Sequence, residues 1–92
     1  ASGRVVVDSG ARRALEEKQG SLLAAGVIEA TGEFDREAAV EVIDQAGQVF
    51  AKGRVQWSSA ELQEFRGRRT SELPPELADE VIHRDDLVIL PA

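Results

Sequence analysis

The sequence predicts a small mixed α/β fold in which strands dominate. The chain has 92 residues, enough to enclose one hydrophobic core and too few for two, so we expect a single domain spanning residues 1–92. Short valine-rich runs follow one another with turn residues between them, which is typical of consecutive strands. Apolar residues at helical spacing occur only in short stretches. A curled or barrel-like sheet sealed by one or two helices would bury these apolar positions economically.

The chain opens with a predicted strand followed by a predicted helix. Residues 3–8 contain the consecutive valines Val5–Val7, which we expect to be buried on both faces of a sheet. Asp8 or Ser9 is expected to cap the helix, and Gly20 is expected to end it. The helix is indicated by apolar residues three and four positions apart, namely Ala11, Ala14 and Leu15.

The middle of the chain predicts three more strands in succession. Residues 27–34 have an extended pattern, with Gly32 as a candidate bulge. Residues 40–42 alternate apolar and acidic side chains, which indicates the next strand. Residues 48–57 alternate less regularly, so we expect a strand that bends at Gly53.

The last part of the chain predicts a second helix and the closing strands. Ser58 or Ser59 is expected to cap a short helix over residues 60–65. Residues 81–83 and 87–90 are apolar enough to form one interrupted strand or two separate strands.

The chain lacks the residue constellations that carry catalysis. It has no cysteine, so neither a thiolate nucleophile nor a thiolate zinc site can form. His83 is the one histidine, which leaves no ordinary zinc ligand set and a single candidate base. We therefore expect no catalytic residue, no cofactor site and no metal site. With no apolar run of about 18 residues and no secretory segment at its start, we expect no membrane contact and a cytoplasmic location.

The densest basic cluster consists of Arg66, Arg68 and Arg69, and it invites a phosphate-binding interpretation. The net charge of the chain is −6, so a polyanion must approach against the overall field. We expect a solvated face of mixed charge, because acidic residues that can neutralise the cluster lie close in sequence. These residues are Glu61, Glu64, Glu72 and Glu76.

Five stretches of sequence, spread over the whole chain, carry a family likeness. They are GRVVVDSGARRAL at 3–15, GSLLAAGV at 20–27, GEF at 32–34, AKGRVQWSSAEL at 51–62 and VIHRDDLV at 81–88. Together they resemble the PUA domain attached to bacterial glutamate 5-kinases. The resemblance implies a PUA pseudo-barrel of about five to six mostly antiparallel strands with two or three short helices.

The resemblance also implies a role inside a larger enzyme. In glutamate 5-kinases a PUA domain follows an amino-acid-kinase domain, which phosphorylates the γ-carboxylate of glutamate with ATP and magnesium in proline biosynthesis. The residues of that family that bind ATP and glutamate belong to the kinase domain, so none is assigned to this chain. The expected partners are that kinase domain and, through the parent enzyme, further copies of the same chain.

Two functions remain open from the sequence. The first is a non-catalytic accessory domain that tunes assembly, metal dependence or feedback response of the attached kinase. The second is an RNA-binding module, as PUA domains often are. Its candidate contact residues, for RNA or another partner, are Ser21, Leu22, Leu23, Gly26, His83 and Arg84.

Two features of the sequence weaken the RNA interpretation. Ala24 and Ala25 stand where relatives often have proline and a basic residue, which removes a cation from the loop. Stacking on bases requires exposed aromatic side chains, and most of the four available are expected in the core. These four are Phe34, Phe50, Trp57 and Phe65.

Overall fold

A computed structural model describes residues 3–91, and it contains five strands, two α-helices and three short 3-10 turns. The strands are β1 (Gly3–Val7), β2 (Val27–Thr31), β3 (Ala39–Ile43), β4 (Val49–Arg54) and β5 (Leu87–Ile89). The helices are α1 (Ser9–Lys18) and α2 (Ser59–Phe65). The 3-10 turns span Ala24–Gly26, Thr70–Glu72 and Arg84–Asp86.

The five strands form one mixed sheet in the order β2-β1-β3-β4-β5. Strand β1 runs parallel to β3, and the other three pairings are antiparallel. The mostly antiparallel sheet of five strands is therefore confirmed, but within residues 3–91 it stays open and does not close into a barrel. Side chains from α2 and from the residue after it cover the outer edge of β2, where a further strand could otherwise pair. Gln63 donates a side-chain hydrogen bond to the Ala30 carbonyl and Arg66 donates one to the Ile28 carbonyl, which occupies the exposed edge.

The core lies between the sheet, α1, α2 and the segment that follows α2. Trp57 is its largest fully buried side chain, and its indole Nε1 donates a 2.9 Å hydrogen bond to the carbonyl of Ala78. The buried apolar set is Val5, Val7, Leu15, Leu22, Ala24, Val27, Ala30, Phe34, Val40, Val42, Phe50, Ala51, Val55, Trp57, Leu62, Leu77, Val81 and Ile82.

The start of the chain follows the prediction with two corrections. Asp8 caps α1, because its Oδ1 accepts a 2.7 Å hydrogen bond from the Ala11 N–H. The helix ends one residue earlier than expected, with Gln19 and not Gly20 in the left-handed conformation at φ 51°. Val6 is half-buried, so β1 is not covered completely on both faces.

Strands β2 and β4 are shorter than the sequence predicted, and β3 is longer by one residue at each end. Strand β4 ends at Arg54, so Trp57 reaches the core from a loop. Gly53 is required by a close approach, since a Cβ there would lie 2.7 Å from the backbone oxygen of Asp86. Gly32 is no bulge: it follows β2 at φ 82°, and the register of β1 and β2 shifts between Val6 and Val7.

The later elements agree closely with the sequence. Ser58 caps α2 in a complete capping box, in which Glu61 Oε1 accepts from the Ser58 N–H and Ser58 Oγ accepts from the Glu61 N–H. The two closing segments are separate: Ile82 forms an isolated bridge with Leu22, and β5 pairs with β4. No helix in the described part of the chain is long and apolar enough to cross a membrane.

Candidate binding surface

Residues 20–26 connect α1 to β2, and the closing segment of the chain holds them in place. The Leu22 N–H donates to the Ile82 carbonyl at 2.9 Å, and the Val81 N–H donates to the Leu22 carbonyl at 2.7 Å. Gly26 lies directly against α1, because a Cβ on it would lie 2.6 Å from the Cβ of Ala11. A bulkier residue at position 26 would push the segment away from the helix.

The structure brings the predicted contact residues together although more than fifty positions separate them in the sequence. Ser21 Oγ accepts a 2.9 Å hydrogen bond from the Arg84 N–H, which joins the first loop to the last. Leu23 projects outward with 43% of its surface exposed. Leu22 is 1% exposed, so it supports this region from beneath and does not form part of its surface.

His83 is held between two acidic residues. Its Nδ1 accepts a 3.1 Å hydrogen bond from the Asp85 N–H, and its Nε2 lies 3.7 Å from Glu80 Oε1. These carboxylates oppose an approaching phosphate at this end of the segment. Within residues 3–91, no group of three or more His, Cys, Asp or Glu side chains has a metal-binding arrangement.

Two shallow hollows flank the side chain of Leu23. The first has a volume of about 270 Å³ and is lined mainly by small and apolar residues of α1 and residues 21–26, including Ala11, Ala14 and Leu15. The second, about 390 Å³, is polar and includes His83 and Arg84. Leu23 thus separates an apolar hollow from a charged one.

The arginine cluster lies beside this segment, which the sequence did not indicate. The Gly67 N–H donates a 2.7 Å hydrogen bond to the Ala24 carbonyl, so the turn after α2 packs on residues 24–26. The side chain of Arg66 donates a 2.9 Å hydrogen bond to the Ile28 carbonyl at the start of β2. Arginines from a distant part of the chain therefore lie next to a loop that has no cation of its own. We call the side chains of Ser21, Leu23, His83, Arg84, Arg66, Arg68 and Arg69 the Leu23 surface; Ser21 and His83 are half-buried and the other five are exposed.

Within residues 3–91 none of the neighbouring glutamates forms an ion pair with the cluster. Glu61 pairs with Arg36 instead, and Glu72 Oε1 accepts a 2.9 Å hydrogen bond from the backbone N–H of Arg69. Two of the four glutamates are thus used for an ion pair elsewhere and for capping the next turn. The guanidinium of Arg68 lies 5.9 Å from the ring centroid of Phe65, which is a weak cation–π contact.

The arginines divide into two groups across the described residues. One group of five forms ion pairs with carboxylates, and it consists of Arg4, Arg12, Arg13, Arg36 and Arg54. The other four form none within residues 3–91, and they are Arg66, Arg68, Arg69 and Arg84. All four unpaired arginines are exposed, and hydrogen bonds from the Gly67 N–H to Ala24 and from the Arg84 N–H to Ser21 hold their backbone segments against residues 21–26.

The ion pairs of the first group alter the titration of their carboxylates. Hydrogen bonds from Arg36 and from the Ser58 N–H lower the pKa of Glu61 from 4.5 to about 2, against an opposing effect of burial. The Gln48 N–H and the Arg12 guanidinium lower the pKa of Asp44. Glu61 and Asp44 therefore stay ionised at neutral pH, where their ion pairs with arginines stabilise the fold.

The aromatic side chains offer little to a nucleic acid. Phe34, Phe50 and Trp57 are buried, and Phe65 is half-buried against the core. The expectation that most of the four lie in the core is confirmed. Since all four of these side chains fall in the described part, the chain offers no exposed Phe, Tyr or Trp for base stacking.

Comparison with known sequences gives a consistent result. The family model described as "PUA domain" matches residues 3–77. The chain is 47% identical to a glutamate 5-kinase of Syntrophotalea carbinolica over 91 residues, covering 95% of this chain and 24% of the relative. It is 39% identical to a glutamate 5-kinase of Moorella thermoacetica, covering 96% of this chain and 24% of the relative. The chain therefore spans about a quarter of the length of these curated relatives, at their C-terminal part.

Solved structures share the fold at low sequence identity. A PUA domain from Aeropyrum pernix superposes with a TM-score of 0.68 at 24% identity, covering 92% of this chain and 45% of that one. A chain of an archaeal box H/ACA sRNP complex superposes with a TM-score of 0.64 at 16% identity, covering 90% of this chain and 25% of that one. At these identities the likeness concerns the fold alone.

Proposed function

The chain belongs to the PUA domain family, and we propose that residues 1–92 form a single, non-catalytic accessory domain of a glutamate 5-kinase. The observation that carries the proposal is the 47% identity along 95% of this chain to one quarter of a glutamate 5-kinase. A likeness that covers the whole domain but a minor part of the relative is what an attached module would produce.

The proposed division of labour places the chemistry elsewhere in the parent chain. Phosphorylation of the glutamate γ-carboxylate with ATP and magnesium is assigned to the part of the relatives that this chain does not match. The partner is an amino-acid-kinase domain in the same chain, with further copies of the parent as a possible assembly. We propose a cytoplasmic location, because ATP and glutamate are available there to the parent enzyme.

The test is removal of this domain from the parent kinase. Glutamate-dependent consumption of ATP should persist, while assembly, metal dependence or feedback response should change. Circular dichroism of the shortened enzyme separates loss of folding from loss of regulation. The proposal fails if the folded, shortened enzyme matches the full enzyme in all three respects.

RNA binding is the second candidate, and the unpaired arginines of the Leu23 surface favour it. A solved neighbour of the same fold belongs to an RNA-protein particle, the archaeal box H/ACA sRNP. The net charge of −6, the buried aromatics and the acids beside His83 argue against it. If the chain binds RNA, affinity for a structured RNA should fall steeply with salt, because each phosphate contact releases counterions. No binding at low salt would remove this candidate.

A further inference from the structure

The Leu23 surface combines two properties that point to a protein partner. Its rim carries four exposed arginines that have no ion pair within residues 3–91. Its centre carries an exposed leucine beside an apolar hollow of about 270 Å³. An apolar centre with a charged rim is the usual anatomy of a protein interface.

The turn that carries three of these arginines is fixed by its backbone. The Arg66 N–H donates to Leu62 at 2.9 Å, the Gly67 N–H to Ala24 at 2.7 Å, and the Arg68 N–H to Phe65 at 3.1 Å. The Arg69 N–H donates to Glu72 Oε1 at 2.9 Å. Gly67 adopts φ 79°, which glycine reaches without strain. Because each N–H of this turn is satisfied, the three guanidinium groups start from a well-defined backbone, which lowers the entropy lost on binding.

The hollow is suited to one apolar side chain. Ala11 and Ala14 of α1 form one wall, and Leu23 forms part of the opposite wall. Small residues on α1 leave the space open, and Gly26 keeps the segment close to the helix. A buried aliphatic or aromatic anchor of this kind provides much of the energy of small interfaces.

The charges around the hollow select against nucleic acid. Glu80 and Asp85 lie next to His83 and repel a continuous phosphate backbone at that end. Base stacking has no exposed Phe, Tyr or Trp side chain among residues 3–91. A protein segment avoids both difficulties, because its carboxylates can be placed singly opposite the arginines.

We propose that the Leu23 surface docks an acidic protein segment that inserts one apolar side chain into the hollow beside Leu23. The carboxylates of the segment would contact Arg68 and Arg69 on the turn that packs on Ala24, and Arg84, whose N–H is bonded to Ser21. The occupant is an acidic segment of a separate protein, so the proposal goes beyond the accessory role and does not rest on it.

The test measures binding of a fluorescent peptide by anisotropy. The probe is a peptide of about 12 residues with glutamates on both sides of a single leucine. Comparison peptides replace the leucine with serine or all glutamates with glutamine, and an RNA hairpin of matched charge is titrated in parallel. We expect the acidic leucine peptide to bind more tightly than the other three probes. Binding should weaken as salt rises from about 50 to about 300 mM, because the contacts are exposed ion pairs.

A charge reversal identifies the surface. The double variant Arg68→Glu/Arg69→Glu should bind the acidic peptide about tenfold more weakly, since repulsion replaces attraction. The matched control Arg13→Glu/Lys52→Glu changes the net charge by the same amount away from the Leu23 surface, and its affinity should stay within about twofold of the unmodified chain. Thermal melting checks that both variants fold, and Arg68→Gln/Arg69→Gln replaces the first variant if it does not.

Three results would overturn the proposal. The first is absence of peptide binding at low salt, and the second is an equal loss of affinity in both charge-reversed variants. The third is tighter binding of the RNA hairpin than of the acidic leucine peptide, which would assign the Leu23 surface to RNA. Because no kinase activity is measured, these results leave the accessory function to be judged separately by its own deletion experiment.

Discussion

The two groups of arginines use the same side chain in opposite ways. Arg4, Arg36 and Arg54 each contact a carboxylate far away in sequence, and thereby join β1 to β3, the loop before β3 to α2, and β4 to the turn before β5. The four arginines of the Leu23 surface join no elements through ion pairs in the described region. The difference is that carboxylates of the fold neutralise five arginines, whereas four exposed arginines next to residues 21–26 have no such partner in the described region. A local group of charged side chains without ion-pair partners indicates a binding surface more strongly than the net charge of the chain does.

The largest expected effect compares Leu22, which is buried beneath the Leu23 surface, with Leu23, which is exposed on it. Leu22→Ala should lower the free energy of unfolding by about 2–5 kcal/mol, because Leu22 is fully buried against Ile82 and a cavity would remain. Its neighbour is the matched control: Leu23→Ala should change stability by less than about 0.5 kcal/mol. Urea unfolding measures both. Equal effects would mean that Leu23 is not free for a partner.

The next largest effect concerns an ion pair of the first group of arginines, the one between Arg36 and Glu61. Glu61→Gln should lower the free energy of unfolding by about 1–2 kcal/mol at neutral pH, because it breaks the ion pair with Arg36 and weakens the cap of α2. The pKa of Glu61 falls from 4.5 to about 2 on folding, so this stabilisation is complete above about pH 4.5 and is lost as pH falls towards 2.

Acid titration of stability checks this assignment. The difference in unfolding free energy between the unmodified chain and Glu61→Gln should shrink steadily below about pH 4.5. Glu64→Gln is the control, because Glu64 is exposed and forms no ion pair in the described region. A difference that stays constant down to pH 2 would contradict the role given to the Arg36 pair.

The smallest effect compares one arginine from each group. Arg12→Ala should lower the melting temperature measurably, because Arg12 pairs with Asp44 and Glu16 and its guanidinium lies 4.7 Å from the ring centroid of Phe50. Arg69→Ala should change stability by less than about 0.5 kcal/mol. Thermal unfolding distinguishes them, and an equal cost would remove the division of the arginines into two groups.

The sequence predicted most of the local structure because short-range chemistry determines it. The Asp8 cap, the Ser58 cap with Glu61, and the succession of valine-rich strands are all readable within a few residues. The predictions were wrong where tertiary packing, and not the local sequence, determines burial and the ends of strands. The run of valines in β1 does not indicate that Val6 is only half-buried. The sequence around Trp57 predicts a strand, whereas Trp57 lies in the loop after β4 and packs into the core from there.

The candidate surface was only half predictable. The family resemblance pointed to residues 21–26 together with His83 and Arg84, and the Ser21–Arg84 hydrogen bond places them side by side. The sequence identified the arginine cluster but not its position beside residues 21–26, because that position depends on one long-range hydrogen bond, from the Gly67 N–H to the Ala24 carbonyl. Sequence proximity also suggested that Glu61 would neutralise this cluster, whereas the fold directs its carboxylate to Arg36.

Arginine side-chain NMR tests the division of the arginines most directly. The Nε–Hε signals of all nine arginines can be followed while the acidic leucine peptide is added to the isotope-labelled chain. Signals of the group around the Leu23 surface, Arg66, Arg68, Arg69 and Arg84, should shift together and saturate at one peptide concentration. Signals of the paired group should stay in place. Shifts spread evenly over both groups, or confined to the paired group, would contradict the claim that this protein uses its unpaired arginines to bind a partner.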